Sequence, residues 1–308
     1  MAYTGASTTN VGSTSAATLS RDVYLDTLQA FTRNLIFVPY LYTQTIQNGT
    51  GGQFIVEGKM DAADNNIASY STGTQVSVTA GTQDQRIINL DRPQYEARRI
   101  DRFDESVANY DVIAMQVRQM SANLAAKVDR KCAAAIEAAS LATGLASNGN
   151  GTVVVNAKLL GGASAATTPS TLGDELAASI FAAAAAIRAT DDMSDAYVAV
   201  NPQQYSFLVQ SARATYGEYM DGLNGGYNTG KVMMIGGVTV LQTNQLPTTA
   251  GLIGLVFTSQ AAGLVKLWDV QSKISEQPDF LDAKLITASF SNGVGTLRAN
   301  SAVSIKNV

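Results

Sequence analysis

The chain has 308 residues, of which 15% are charged and 7% are aromatic, and its formal net charge is −4. This acidic balance argues against a dedicated nucleic-acid-binding protein, because such proteins need a basic face to displace counterions from phosphates. The sequence contains no histidine, which excludes the enzyme classes that depend on imidazole as a general base or metal ligand. Cys132 is the only cysteine, so no internal disulfide can form and folding in a reducing cytoplasm is expected. We predict no cofactor and no metal.

The N-terminal region predicts an arm followed by a helix. Residues 1–19 are rich in Ser, Thr, Ala and Gly without periodicity, so they have little apolar surface to bury. From Ser20, which is suited to cap a helix, apolar residues recur at helical spacing as far as Pro39. This pattern predicts a helix over residues 21–37. Because there is no secretion signal and no run of about 18 apolar residues, we expect a soluble chain that is not exported and has no membrane partner.

Residues 51–90 predict a long β-hairpin. Three strand-like runs, at 53–57, 75–79 and 86–90, surround a polar middle at 61–74, and Gly and Asn punctuate the region. A ribbon of two strands is only marginally stable in water. We therefore expect this ribbon to rest either on its parent domain or on a neighbouring chain.

The region after Pro93 predicts one long helix, which is the strongest local signal in the sequence. Asp104 or Asp111 is placed to cap its start and Gly144 its end, and a short first turn can separate at residues 109–111. A second face of alanines would let another element approach closely. The apolar face steps by three or four residues through Val107, Tyr110, Ile113, Val117, Met120, Leu124, Val128, Cys132 and Ile136.

The C-terminal half predicts alternating helices and strands, typical of an α+β fold. Pro169 opens an Ala-rich helix that ends near Ala189, and residues 196–200 predict a buried strand. Asn201 is predicted to cap the next helix, with Pro202 in its first turn. The remaining predictions are a hairpin of strands 232–235 and 238–241 around Gly236-Gly237, strands at 253–257, 284–290 and 302–306, and a short helix near 259–262.

Four segments carry a family resemblance. They are Gly52-Gln53-Phe54 to Lys59, then Asn109-Tyr110-Asp111-Val112, then Tyr197-Val198-Ala199-Val200-Asn201-Pro202 with Tyr205 and Leu208, and then Gly236-Gly237-Val238-Thr239-Val240 followed by Asn244-Gln245-Leu246-Pro247. In order and spacing the sequence resembles the major capsid proteins of tailed phages with the Hong Kong 97-type fold, especially those of short-tailed podoviruses. Each motif alone occurs in many folds, whereas their order covers most of the chain.

The resemblance implies an α+β fold with five regions. They are the N-terminal arm and helix (1–47), the extended loop (48–92), the peripheral domain with a long spine helix (93–169), the axial domain (170–248) and the returning strands of the peripheral domain (249–308). It also implies a structural subunit, not an enzyme, that self-assembles into the icosahedral shell around the phage genome.

The resemblance further implies partners and a location. The partners are other copies of the chain in pentamers and hexamers, a separate scaffolding protein, a portal protein and, optionally, a decoration protein. The acidic balance predicts only weak, non-specific contact with packaged double-stranded DNA. We expect assembly in the host cytoplasm and a final location in the capsid of the virion.

Candidate contacts between subunits come from the extended loop and from the basic run at residues 98–102. The resemblance implies that the loop overlies an adjacent subunit, and the basic run predicts a strand whose arginines form inter-subunit ion pairs or, alternatively, a patch that faces DNA. Some members of this fold crosslink a loop lysine to an asparagine of a neighbour, although most podovirus-type relatives do not. The candidate residues are Phe54, Val56, Lys59, Tyr70, Arg98, Arg99 and Arg102.

Other motifs favour ordinary structure over chemistry. Residues 225–231 resemble most of a phosphate-binding loop, but Val232 stands where a hydroxyl is needed, so we interpret them as a mobile loop of the axial domain. Cys132 is interpreted as a small core residue. The aspartates that invite a cation site, which we interpret as solvated turn carboxylates, are Asp191, Asp192, Asp195, Asp279 and Asp282.

Three alternatives to a phage capsid protein stay open at this point. An encapsulin-type compartment shares the fold and differs in its contents. A nucleotide-dependent enzyme built on residues 225–231 and a surface-layer subunit are less favoured, the latter because the sequence shows no export signal.

Overall fold

A computed structural model of the chain describes residues 35–46, 51–57, 83–107, 111–142, 152–155, 168–189, 194–211, 234–249, 251–277 and 283–307, together with Thr27, Phe31 and Phe280. The strands are β1 (Tyr42–Thr45), β2 (Gly51–Glu57), β3 (Gln83–Asn89), β4 (Gln94–Ile100), β5 (Thr152–Val155), β6 (Ala196–Val200), β7 (Met234–Ile235), β8 (Val238–Gln242), β9 (Leu252–Thr258), β10 (Ala262–Gln277), β11 (Ala283–Thr296) and β12 (Ala302–Asn307). The α-helices are α1 (Arg102–Val107), α2 (Val112–Leu141), α3 (Pro169–Arg188) and α4 (Pro202–Gln210), and short 3-10 turns occur at Val38–Tyr40 and Ala299–Ser301.

Within these residues the strands form three sheets. The largest has the order β5-β12-β9-β6-β8-β7, the second has the order β1-β10-β11-β4, and β2 and β3 form a ribbon of two strands. In the largest sheet β12 is parallel to β5 and β6 is parallel to β8, while its other neighbours are antiparallel. Helices combined with mostly antiparallel sheets confirm the predicted α+β class.

The chain divides into two compact units. Unit 1 comprises Met1–Leu35, Asp91–Val128 and Lys266–Asn292, and unit 2 comprises Ile36–Leu90, Asp129–Val265 and Gly293–Val308. The chain therefore passes from one unit to the other five times. Three of these crossings lie inside α2, β10 and β11, so each of these long elements contributes residues to both units.

Helix α2 buries one face along its whole length. The N–H group of Ala114 donates to Asp111 Oδ1 at 3.0 Å, so the second of the two predicted caps is confirmed, while Asp104 lies in α1. The helix has 30 residues and is about 45 Å long at 1.5 Å per residue. The side chains of its predicted apolar face are buried at Ile113, Val117, Met120, Leu124, Val128, Cys132 and Ile136.

The core of unit 2 lies between α3, α4 and the largest sheet. Helix α3 contacts β12, β5, β9 and β7 as well as α4. By length and composition α3 is apolar enough to cross a membrane, but its apolar face is used here to cover the sheet. The fully or almost fully buried members of this core include Leu172, Leu176, Ile180, Ile187, Val198, Val200, Leu208, Ile253, Val256 and Ile305.

The turn between β7 and β8 confirms the predicted two-glycine hairpin. Gly236 and Gly237 have φ values of 57° and 79°, which is the pattern of a turn that needs positive φ at both central positions. A Cβ atom at Gly236 would come within 2.0 Å of the Phe181 ring. Glycine is therefore required here both by the backbone and by the close approach of α3.

The junction of β6 and α4 was predicted correctly in position but not in detail. Asn201 occupies the N-cap position and Pro202 the first turn, yet the Asn201 side chain makes no capping hydrogen bond. Pro202 has no N–H group, so the first turn of α4 has one unpaired donor fewer than usual.

Three other predictions were wrong, and one long strand was missed. Leu35, Ile36 and Phe37 are not helical, because the N–H groups of Ile36 and Phe37 bond a carboxylate of α2 instead. Val107 is 63% exposed in α1 and does not join the buried face. In place of a helix near 259–262 a turn leads into β10, and that 16-residue strand was not predicted. Of the predicted helix at 21–37, Thr27 and Phe31 are helical.

Replacing Gly173 should test the close packing of α3 on α4. A Cβ atom at this position would lie 2.1 Å from the carbonyl oxygen of Phe207, so Gly173→Ala should lower the free energy of unfolding by about 1–3 kcal/mol. This loss should outweigh the roughly 1 kcal/mol that alanine normally adds to a helix. The measurement is the denaturant midpoint of the full chain. Ala185→Ser, on the exposed side of α3, is the control, and an unchanged or higher midpoint for Gly173→Ala would contradict the packing.

Candidate assembly surface

The β2–β3 ribbon is the described part of the predicted hairpin. Its register runs from Gly51 opposite Asn89 to Glu57 opposite Gln83. The two outer strand predictions, 53–57 and 86–90, are therefore confirmed, while the run at 75–79 lies outside the described residues.

The base of the ribbon is anchored in its own chain by Ile88. This side chain is 5% exposed and clusters with Val265 and Leu297. Two glycines make room for it, since Cβ atoms at Gly263 and Gly295 would lie 3.1 Å and 2.9 Å from Ile88. All five residues belong to unit 2, so the described base of the ribbon rests on its parent unit.

The neighbouring side chain, Ile87, has the opposite environment. It is 67% exposed, because successive side chains of a strand point to opposite faces. A branched apolar side chain that is exposed to water in this way is available for contact with another molecule.

The inner face of β4 is polar and is satisfied by α2. Arg98 forms an ion pair with Glu96 at 2.8 Å and donates to Gln116 and to Gln119, the latter at 2.8 Å. Asn123 also donates to Glu96, at 3.2 Å. Arg98 is thus held by partners inside unit 1.

The outer face of β4 is exposed and partly aromatic. Tyr95 is 76% exposed, and the Arg99 guanidinium lies 4.4 Å from the centre of the Phe280 ring, which is a cation–π contact. Arg99 also lies 3.5 Å from Asp101. Because Phe280 itself is 52% exposed, this face carries cationic and aromatic groups at its surface.

Helix α1 extends the same kind of surface within unit 1. Phe103 is 74% exposed, and Arg102 begins the helix at an exposed position. Glu105, in contrast, pairs with Lys284 of β11 at 2.6 Å. The ion pair fixes α1 to the sheet of unit 1 while its aromatic residue stays in solvent.

A groove of about 410 Å³ lies beside β4 in unit 1. It is lined by Pro93, Gln94, Tyr95, Glu96, Asn123, Leu124 and Lys127. Its polar groups include the Glu96 carboxylate, which Arg98 and Asn123 already engage. Among the described residues no group of three His, Cys, Asp or Glu side chains could hold a metal ion.

The seven predicted contact residues fall into three groups. Phe54 and Val56 lie in β2, as predicted, whereas Lys59 and Tyr70 lie outside the described residues. In the basic run, Arg98 and Arg99 lie on opposite faces of β4, and Arg102 begins α1. Contact with a neighbouring subunit stays a prediction for all seven.

Sequence reasoning missed the exposed apolar residues Ile87, Tyr95, Phe103 and Phe280. Tyr95 alternates with Gln94 and Glu96 in the sequence, and that alternation was a usable signal for a strand with one aromatic face. For Ile87 there was no signal, because Ile87 and Ile88 are identical residues and only the tertiary contacts of Ile88 distinguish them.

Of the motifs that suggested other chemistry, only Cys132 and Asp195 lie within the described residues. Cys132 is buried, which confirms its interpretation as a core residue. Asp195 is exposed, and Asp191, Asp192, residues 225–231, Asp279 and Asp282 lie outside the described residues.

The ribbon, the long helix and the two-unit α+β architecture define a shell protein of the Hong Kong 97-type capsid fold. The chain belongs to the Gp10A-like family of major capsid proteins, whose family profile matches residues 100–254, about half of the chain. It is therefore a structural subunit of a phage capsid, and its place is in the virion. No curated protein matches the sequence.

Solved capsid structures share the fold. The capsid structure of cyanophage P-SCSP1u has a TM-score of 0.70 at 24% identity, with 87% of this chain and 86% of that chain covered. The mature capsid of bacteriophage PhiM1 has a TM-score of 0.65 at 14% identity, with 89% and 87% covered. A virus-like particle from Pyrococcus furiosus has a TM-score of 0.54 at 12% identity, with 94% and 99% covered. At these identities the likeness establishes the fold.

Adjacent substitutions should separate the two faces of the ribbon. Ile88→Ala removes a buried side chain between Val265 and Leu297, so the free energy of unfolding should fall by about 2–4 kcal/mol. Ile87→Ala should change it by less than about 0.5 kcal/mol, because that side chain is exposed. Both values come from denaturant unfolding of the full chain. Equal effects at the two positions would show that the ribbon is not anchored through Ile88.

Proposed function

We propose that this capsid subunit forms the pentamers and hexamers of an icosahedral shell, with its extended loop and N-terminal arm lying over neighbouring subunits. The observation that carries the proposal is the contrast within the ribbon. Ile88 anchors the base to the parent unit, whereas Ile87 projects an apolar side chain into solvent. An element that is fixed at its base and apolar at its surface is suited to reach another subunit.

The contacts of one loop are too small to hold a shell by themselves. A shell subunit, however, repeats every contact around a closed lattice, and linked weak interfaces reinforce one another through effective concentration. The outer face of β4 supplies a second contact of this kind. This face exposes Tyr95 and carries Arg99 over Phe280, and aromatic and arginine side chains are enriched at protein interfaces.

The five regions have separate roles in this proposal. Residues 170–248 are the axial domain at the centres of capsomers, residues 93–169 and 249–308 form the peripheral domain, and residues 1–47 and 48–92 reach over neighbours. Within residues 170–248, the close packing of α3 on α4 supports a rigid axial domain.

The further partners follow from the same role. A separate scaffolding protein guides assembly in the host cytoplasm, a portal protein occupies one vertex, and a decoration protein is an optional addition. The net charge of −4 supports weak, non-specific contact with packaged double-stranded DNA.

An encapsulin-type compartment is the weaker alternative, because the chain belongs to a family of major capsid proteins. Its support is the likeness to the virus-like particle from Pyrococcus furiosus, which covers 94% of this chain. Co-purification decides between the two candidates: a scaffolding protein and a terminase support the phage capsid, and an enclosed enzyme supports the compartment.

Ile87→Ser should impair shell assembly without weakening the subunit. Loss of an apolar contact that is repeated in every subunit should lower the yield of closed shells at least about tenfold, while Tm stays within about 2 °C of the wild type. The measurement is electron microscopy and sedimentation after co-expression with a scaffolding protein. Leu141→Ser, at another exposed apolar position, is the matched control and should assemble normally. Wild-type yields for Ile87→Ser would remove the ribbon from the interface.

Shells of this protein should not be crosslinked through Lys59. The podovirus-type resemblance carries this expectation, because most such relatives hold their shells by non-covalent contacts alone. Boiled shells should therefore run as a monomer of 32.3 kDa in denaturing electrophoresis. A ladder of multiples that disappears in Lys59→Arg would establish an isopeptide bond instead.

A further inference from the structure

The structure contains a buried carboxylate that no predicted role of the protein uses. Asp129 lies in the middle of α2 and is 1% exposed. Its Oδ2 atom accepts a hydrogen bond from Ile36 N at 3.0 Å, and its Oδ1 atom accepts one from Phe37 N at 3.2 Å. A single side chain thus holds a segment that is more than 90 residues away in sequence.

The position of these bonds in the chain is unusual. Ile36 is the first residue of its segment in unit 2, and Asp129 is likewise the first residue of α2 in unit 2. The hydrogen bond from Ile36 to Asp129 therefore joins the first residues of two segments of unit 2. Beyond the bonds, Phe37 is fully buried and its ring lies 5.8 Å from the ring of Phe257.

The charged residues of α2 near Asp129 do not share its face. Lys127, Arg130 and Lys131 stand one or two positions away, and residues at these spacings do not face each other on a helix. Cys132, three positions on, does share the face and is buried. Among the described residues no lysine or arginine forms an ion pair with Asp129.

Among the described residues, the segment that packs with Phe37 and the strand β6 beside it bring two tyrosines, Tyr40 and Tyr197, and the carboxylate of Asp195. The segment after Phe37 carries Tyr40, whose ring lies 4.6 Å from that of Tyr197 in β6. Burial, with Asp195 and Tyr40 nearby, raises the pKa of Tyr197 above its ordinary value. Strand β9, which supplies Phe257, contains no titratable residue.

Burial dominates the electrostatics of this carboxyl group. It raises the pKa of Asp129 from 3.8 to about 6, although the two backbone N–H bonds act in the opposite direction. An ionised carboxylate in this position has lost its hydration and gained only two neutral donors, so the charged form is disfavoured.

We propose that Asp129 is a protonation-controlled clamp, which holds the segment Ile36–Phe37 on α2 most firmly when the carboxyl group is neutral and releases it more readily when the group is ionised. The direction follows from linkage. Opening would expose the carboxyl group to water, where its pKa returns toward 3.8. The closed form therefore binds the extra proton, its stability is greatest at low pH, and that stability falls as pH rises through about 6.

Two other contacts near the points where the chain changes unit differ chemically from those of Asp129. In unit 1 the N–H group of Asp91 donates to the carbonyl of Asn292 at 3.2 Å, and a backbone bond does not titrate in this range. In unit 2 Glu137, the other buried carboxylate of α2, pairs with Lys306 at 2.8 Å and accepts from Thr249 at 2.9 Å. Within the described part of the chain, Asp129 is therefore the carboxylate of α2 that accepts hydrogen bonds from backbone N–H groups alone.

Hydrogen–deuterium exchange of the full-length, unassembled subunit tests the clamp. The quantity is the protection of the Ile36 and Phe37 amides after correction for the intrinsic pH dependence of exchange. Between pH 5 and pH 7.5 the two pKa values predict a loss of protection of about tenfold. In Asp129→Asn, which is uncharged throughout, the corrected protection should not change with pH.

Glu137→Gln is the matched control, because it removes a buried carboxylate from the same helix and should leave the tenfold change at Ile36 and Phe37 in place. The wild-type measurement decides the matter even if Asp129→Asn does not fold. Equal corrected protection at pH 5 and pH 7.5 in the wild type, or a tenfold change that persists in Asp129→Asn, would overturn the proposal.

Discussion

Burial of one continuous face of α2 is the constraint on which the rest of the structure depends. Seven apolar side chains from Ile113 to Ile136 are buried along this face. The first five belong to unit 1 and the last two to unit 2. Interior packing is close and tolerates little change of volume. The helical periodicity of α2 therefore determines which of its side chains are buried in unit 1 and which are buried in unit 2. The polar edge of α2 is fixed in the same way, through the contacts of Gln116, Gln119 and Asn123 with β4.

The parts of the fold that could be predicted were those specified by local chemistry. The period of α2, the Gly236-Gly237 turn and the Asn201-Pro202 junction each depend on a few neighbouring residues. Strand β10 could not be predicted, because polar residues such as Asp269 and Lys273 interrupt its apolar pattern and its pairing depends on two other strands, β1 and β11. The burial of Asp129 was equally hidden. In sequence it belongs to the charged run Asp129-Arg130-Lys131, and the Ile36–Phe37 segment that donates to it is more than 90 residues away.

The candidate surface was predicted less well than the fold, for a physical reason. In a free subunit, an apolar side chain that stays exposed to water marks a candidate interface. Exposure depends on the tertiary structure, so the sequence alone does not show it. The arginines were found from sequence because charge is visible there, but Arg98 has partners in its own unit. Family membership identifies the protein as a shell subunit, whereas the exposed apolar and aromatic residues indicate which surfaces the shell can use.

The five crossings between the units restrict how a gene of this kind can change. Neither unit corresponds to one uninterrupted stretch of coding sequence, so recombination that exchanged a whole unit would have to replace three separate segments together. The ribbon is different, because β2 and β3 both belong to unit 2 and no crossing lies between them. Insertions and deletions between these strands disturb no crossing. Length variation among related genes should therefore accumulate there first.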